Sequence, residues 1–463
     1  MKLAVAVALL FGASAWAQDP PAPVASDTPA EQAETPAAAE YGGPSILSRG
    51  GAPSIARGGE TLRLRPFLTL SGIYDSGLGN TIINQQGNVP YADLYGVDAA
   101  FGVTGAHTWK HSSLDLDYRG TLRHYNENTY YDGMDNSLML GYKRQLTSRT
   151  SFEVAENATR YQRAFSLPLA GYYNTGFQAY DPSFSGLTTN DLFDTPATMS
   201  MSTGRLTHLF SARLSMSLSG SGLFIRRHSD ALVGTNGYTA RGDIAYRLSR
   251  YQTISVSYDF NHFDFQNRYG QADVHGAALG YSVRMGRHWE MALSGGAMRA
   301  ESVRNTQVQL DPVVAAILGR TVGFAKFHGI VYLPQYGAHL TRAFRRASAS
   351  AGYSRTVLPG NGVYTITSYE NGTLGYSYTG FRRLSLQAGA SYTRYSALSQ
   401  ALGRYRSYSG GGGFTYRVAH SLSVIGRVDG RRYQVQNSDL NRIYCRASFG
   451  LGWAPGDYPL ALW

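Results

Sequence analysis

The chain has 463 residues, 34 tyrosines, 53 glycines and one cysteine, with only 16% charged residues and a formal net charge of +11. A single cysteine, Cys445, excludes an internal disulfide. No stretch approaches the roughly 18 uninterrupted apolar residues that a membrane-crossing helix needs.

The first elements in chain order are targeting segments. Lys2, the apolar run Leu3 to Phe11 and the small-x-small trio Ala15-Trp16-Ala17 predict a signal peptide over residues 1–17, with export as the outcome. Residues 18–60 are rich in Pro, Ala, Glu, Ser and Gly and bury too little to offset their ordering entropy, which predicts a disordered periplasmic tail. Within it, Pro44–Gly50 echoes Pro53–Gly58, which reads as a docking motif or simply as biased linker composition.

From about residue 61 to Trp453 the chain alternates. The odd positions Ile443, Cys445, Ala447, Phe449, Leu451 and Trp453 are apolar, and the intervening Tyr444, Arg446, Ser448, Gly450 and Gly452 are polar or small. Successive side chains on a strand point to opposite faces, so one face is greasy and the other wet. Leu114, Leu116, Tyr118 and Leu122 interleave with Asp115, Asp117, Arg119 and Arg123 in the same way. Eight tight polar turns, near His111, Arg149, Ala212, Arg250, Arg287, Arg345, Arg382 and His420, lie about 37 residues apart except at two longer gaps. That spacing fits two membrane-length strands, a short turn and a medium loop. Strands in lipid satisfy their backbone groups only when the sheet closes. The expectation is an all-β fold: a transmembrane antiparallel up-and-down β-barrel of about 18 strands, or 16 if two are miscounted, with short periplasmic turns and longer extracellular loops. Residues 454–463, interrupted by Pro455, Gly456 and Pro459, read as a tail tucked beneath the barrel.

Two loops are long, 164–197 and 302–326. In the second, Asp311 as N-cap, Pro312 at the first position and Gly319 as the stop predict a mini-helix carrying Ile317 and Leu318. An apolar mini-helix on an outer loop suits either a constriction folded into the mouth or packing over the rim.

Beyond residue 60 the chain holds 39 basic and 25 acidic groups. Alternation places Arg119, Arg123, Arg241, Arg247, Arg284, Arg417, Arg427 and Arg431 towards the lumen with Asp115, Asp117, Asp243, Asp259 and Asp429, as pore-lining candidates. They suit structural ion ladders, a charge-selective field, or a mixture with a mild preference for anionic or polar solutes. Other acids, including Asp75, Asp132, Asp135 and Asp273, read as outer-loop residues. No catalytic set emerges: His228 and Ser229 are adjacent on a strand and point apart, and no histidines show metal-ligand spacing. Neither an enzyme nor a cofactor is expected, and nucleic acid is not an expected partner of an exported cylinder.

On these patterns the chain resembles bacterial outer-membrane β-barrels of porin-like type. That resemblance implies an outer-membrane location, lipid and the barrel-assembly machinery as partners, and a terminal aromatic residue as assembly signal, here Trp463 or Trp453. The function it implies is passive diffusion of small polar solutes. The alternative is a structural or export barrel that partners a secreted polymer or periplasmic assembly through the 18–60 tail. Oligomeric state is open.

Overall fold

The computed structural model describes residues 61–79, 91–126, 132–161, 196–228, 232–266, 270–309, 321–360, 362, 365–378, 380–381, 383–398, 404–419, 421–436, 441–455 and 458–461. The expected signal peptide and tail lie outside them, as do loop residues 164–195, the mini-helix with Asp311, Pro312, Ile317 and Leu318, and Trp463.

The wall opens with β1 (Thr61–Gly79), β2 (Tyr91–Thr108), β3 (Ser112–Tyr125), β4 (Gly133–Gln145), β5 (Thr150–Tyr161) and β6 (Ala197–Leu209). It continues through β7 (Leu214–Arg227), β8 (Thr235–Arg247), β9 (Gln252–Phe265), β10 (Gly270–Met285), β11 (Trp289–Gln309) and β12 (Val322–Ala343). The third stretch is β13 (Ala347–Pro359), β14 (Ile366–Tyr378), β15 (Leu384–Ala397), β16 (Tyr405–Arg417), β17 (Leu422–Val435), β18 (Asn441–Trp453) and β19 (Tyr458–Ala461). From β1 to β18 each strand pairs antiparallel with its sequence neighbours, and β18 returns to β1 over Leu68↔Trp453 to Ser76↔Cys445. The sheet is therefore closed. Residues 458–461 are not a tucked tail: β19 pairs Thr61↔Ala461 to Leu64↔Tyr458 and completes the last wall position after a short break. Pro455 lies in that break, and Pro459 ends up opposite Arg63 in the resumed strand.

Following paired residues round the circuit returns the path to β1 about 22 residues from its start. With eighteen wall positions, that stagger tilts the strands roughly 40° and sets a barrel radius on the order of 17 Å. A cylinder of this width holds water unless something fills it.

The apolar alternation faces outwards. Leu70, Leu374, Ile443, Phe449 and Leu451 are all more than half exposed, whereas Thr69, Ser71, Arg427, Asp429 and Arg446 on the opposite face are buried. Aromatic residues mark the short-turn end: Trp109, Phe210, Tyr251, Phe344 and Phe381 sit in or beside turns, and the Arg342 guanidinium lies 4.7 Å from the Trp289 ring. Three of these turns share one device. Thr147 Oγ1 accepts from the backbone N–H of Thr150, Ser211 Oγ from that of Leu214 and Ser249 Oγ from that of Tyr251. Short hydroxyl side chains thus replace the missing ladder bonds where the chain reverses.

Close approach fixes one wall glycine. A Cβ on Gly102 would stand 2.2 Å from the Tyr118 carbonyl oxygen and 2.5 Å from the Phe67 ring, which lies over it from β1. Backbone cannot give way cheaply, so Gly102→Ala is expected to cost about 1–3 kcal/mol, read as a lower denaturation temperature of the folded barrel.

Candidate functional site: the lumen and its outer mouth

The lumen is layered. Its middle carries charge as side-by-side pairs two residues apart on one strand, which alternation holds on one face. Arg119 bonds Asp117, Arg241 bonds Asp243 at 2.9–3.0 Å, and the Arg427 Nη2 donates to Asp429 at 2.7 Å. Arg123 instead crosses to Asp135 on β4 at 2.9 Å. Asp115, Asp259 and Arg431 share this inward face, and Asn261 lies 3.4 Å from the Asp259 carboxylate. Three expected residues lie at the short-turn rim. Arg247 donates to the carbonyls of Ser249 and Arg250, Arg284 bonds Glu290 at 2.8 Å across the β10–β11 hairpin, and Arg417 ends β16.

The strongest ionic cluster was not legible as such, and two of its acids were expected in loops. Asp75 and Asp135 are buried on strands. Asp75 accepts from Tyr125, from the Tyr444 hydroxyl at 2.6 Å and from Arg446 Nη2 at 2.6 Å. Arg446 also reaches the Tyr125 oxygen at 3.0 Å, so the cluster joins the first and last strands across the closing seam. Asp98, opposite Ser71 in register, is buried beside this cluster with both carboxylate oxygens unpartnered. Asp75 and Arg446 compensate each other, as do Arg123 and Asp135. Asp98 is the acid left over from these pairs.

Asp132, unlike Asp135, lies beyond the strand end, just before β4. It binds the Tyr125 backbone N–H at 2.8 Å and His124 at 2.7 Å, and no cluster of three metal-ligating side chains occurs among the described residues.

The outer mouth is built differently. Residues 302–309 and 322–326 of the expected loop are strand, extending β11 and β12 as a long hairpin, while the expected constriction residues Asp311, Pro312, Ile317 and Leu318 lie outside the described residues. Among the described residues an inward element is the β13–β14 hairpin. Pairing of β13 to β12 stops at Tyr336↔Arg355, while β13 and β14 remain paired to Pro359↔Ile366. Beyond Arg355 the hairpin parts from β12 and turns into the lumen, while β14 stays paired to β15 as far as Thr367↔Ala397, and residues 356–360 and 365–369 are all buried. Leu358 packs with Met199, Leu223 and Ile225 of β6 and β7, and with Tyr369, Tyr395, Tyr405 and Tyr433 of β14 to β17. On its other side Val357 and Ile366 join Phe263, Phe265, Val274 and Met298.

The tip is pinned as well. The Val233 N–H donates to the Gly362 carbonyl at 3.0 Å, and Arg227 Nη1 to the Val233 carbonyl at 2.7 Å. Gly362 has φ +93°, and a Cβ there would meet Arg227 at 2.8 Å, so only glycine fits. Burying Val357, Leu358, Ile366 and Tyr369 contributes at most on the order of 6–10 kcal/mol, enough to keep the hairpin docked in the resting molecule. The β1–β5 side of the mouth is not reached by these contacts, and the Asp75–Arg446 cluster lies there.

No protein-family model and no curated protein matches the chain. Among solved structures it is similar to a BenF-like porin from Pseudomonas fluorescens Pf-5, with 13% identity and a TM-score of 0.42 over 86% of this chain and 99% of that one. It is similar also to Pseudomonas aeruginosa OccK2 (OpdF), solved in complex with glucuronate, with 12% identity and a TM-score of 0.41 over 86% and 98% of the two chains. A third is Acinetobacter baumannii OccAB3, with 10% identity and a TM-score of 0.38 over 86% and 99%.

Proposed function

We propose that the chain is an outer-membrane channel through which small polar solutes diffuse, narrowed at its outer mouth by the β13–β14 hairpin. One observation carries this reading: a closed sheet with an apolar exterior encloses a wide space lined by paired charges. A greasy outside and a charged inside is the arrangement that lipid outside and water inside require. Trp453, exposed where β18 ends, and Trp463 remain the residues proposed as assembly signals.

Selectivity follows from the inward charges. The expected residues hold eight arginines against five aspartates, which favours anions; adding the paired Arg446 on one side and Asp75, Asp135 and Glu290 on the other leaves nine against eight. The proposed anion preference is therefore small. Purified protein in a planar bilayer is expected to conduct, with a reversal potential in a salt gradient that lies only slightly on the anion-selective side. Absence of any conductance would remove the channel reading in favour of a structural barrel.

A further inference from the structure

The outward face of β13 to β18 carries a groove that permeation does not use. Its volume is 980 Å³, and Ala390, Gly410 and Gly430 form its floor as one paired row that continues through the exposed Leu374 to Ala351. The row above it, nearer the long-loop end, runs Tyr353, Gly372, Tyr392, Tyr408 and Arg432. The next row runs Arg355, Glu370, Arg394, Arg406 and Gln434, each directly opposite its neighbour.

This upper row is electrostatically incomplete. Arg394 and Arg406 stand face to face, an arrangement that destabilises a sheet unless something neutralises it. The one acid of the row, Glu370, lies 3.4 Å from Arg394 and 3.8 Å from Arg355, away from Arg406. The Nε atoms of Arg394 and Arg406 are buried without a hydrogen-bond partner. Three guanidinium groups against one carboxylate in this row call for an anion, and planar guanidinium forks match phosphate oxygens. Two rows on a tilted strand span about 10 Å, so a phosphate held there sits a short chain-length above the groove floor.

We propose that this face binds a phosphate-bearing, multi-acyl lipid of the outer leaflet. Its phosphate lies on Arg394 and Arg406, and an acyl chain fills the groove. The inference rests on the outer-membrane reading but not on conduction. The tyrosines between the two levels sit at the headgroup boundary, where amphipathic rings are favoured.

The test uses the folded full-length protein, delipidated in neutral detergent and offered bisphosphorylated lipid A, phosphatidylcholine or inorganic phosphate, with adducts read by native mass spectrometry. Lipid A is expected to be retained well above phosphatidylcholine, and the Arg394→Gln/Arg406→Gln variant to lose about tenfold of that retention. Inorganic phosphate alone gives no stable adduct. If the double variant does not fold, Gly410→Leu, which places a side chain on the groove floor, is expected to produce the same loss. Equal retention of phosphatidylcholine, unchanged retention by the variants, or a protein dimer in place of the lipid adduct would overturn the proposal. Conductance of the same preparation separates the two readings: a non-conducting wild-type barrel that keeps lipid A removes the channel and leaves the lipid site.

Discussion

Excising residues 357–368 and joining Thr356 to Tyr369 through an Asn-Gly turn is expected to raise single-channel conductance several-fold. Thr356 and Tyr369 are already paired, so a two-residue turn closes the shortened hairpin without changing its register. The excision removes Val357, Leu358 and Ile366, the side chains through which the hairpin grips β6, β7 and the β9–β11 wall. What remains of the mouth is then bounded by the strands themselves, whose circuit encloses a water-filled width. The exterior is untouched, so membrane insertion should survive; folded yield and heat-modifiable gel mobility control for that. A conductance equal to that of the parent would show that the hairpin does not limit passage.

The second large effect lies at the seam. Asp75→Ala is expected to destabilise the barrel by about 3–5 kcal/mol, because it strands the buried Arg446 guanidinium with an unanswered charge. It also removes the acceptor used by both the Tyr125 and Tyr444 hydroxyls. Replacing Asp75 and Arg446 together by leucines should recover most of the loss, since no lone charge then remains. Urea unfolding from lipid vesicles measures both variants. A single substitution no worse than the double one would mean that the pair contributes little to closure.

These two features mark where sequence reading stops. Period-two alternation and basic turns are local, so the strand count, the outward apolar face and pairs such as Asp117–Arg119 or Arg427–Asp429 are legible from residues two apart. Asp75 and Arg446 are 371 residues apart, and nothing local in either announces the other. Asp75 looks like a loop acid because it follows Tyr74 near the end of β1 and precedes Ser76-Gly77. The β13–β14 hairpin did leave a signal. Val357-Leu358-Pro359 is apolar at consecutive positions, which a strand with one wet face cannot use. The Asp311–Gly319 run, with its stronger helix punctuation, lies outside the described residues. Pro455 and Gly456 signal a break in pairing but not that pairing resumes at Tyr458.

The interrupted final staves have a consequence for how the cylinder shuts during biogenesis. Until β18 arrives, the outward-running edge of β1 has no permanent mate and must be shielded by whatever inserts the nascent protein. Zipping of Leu68 to Ser76 joins the two ends of the chain, while Thr61 to Leu64 stay open until the four closing residues latch. A product shortened before Tyr458 would therefore be a finished ring with one frayed slot at its lower lip.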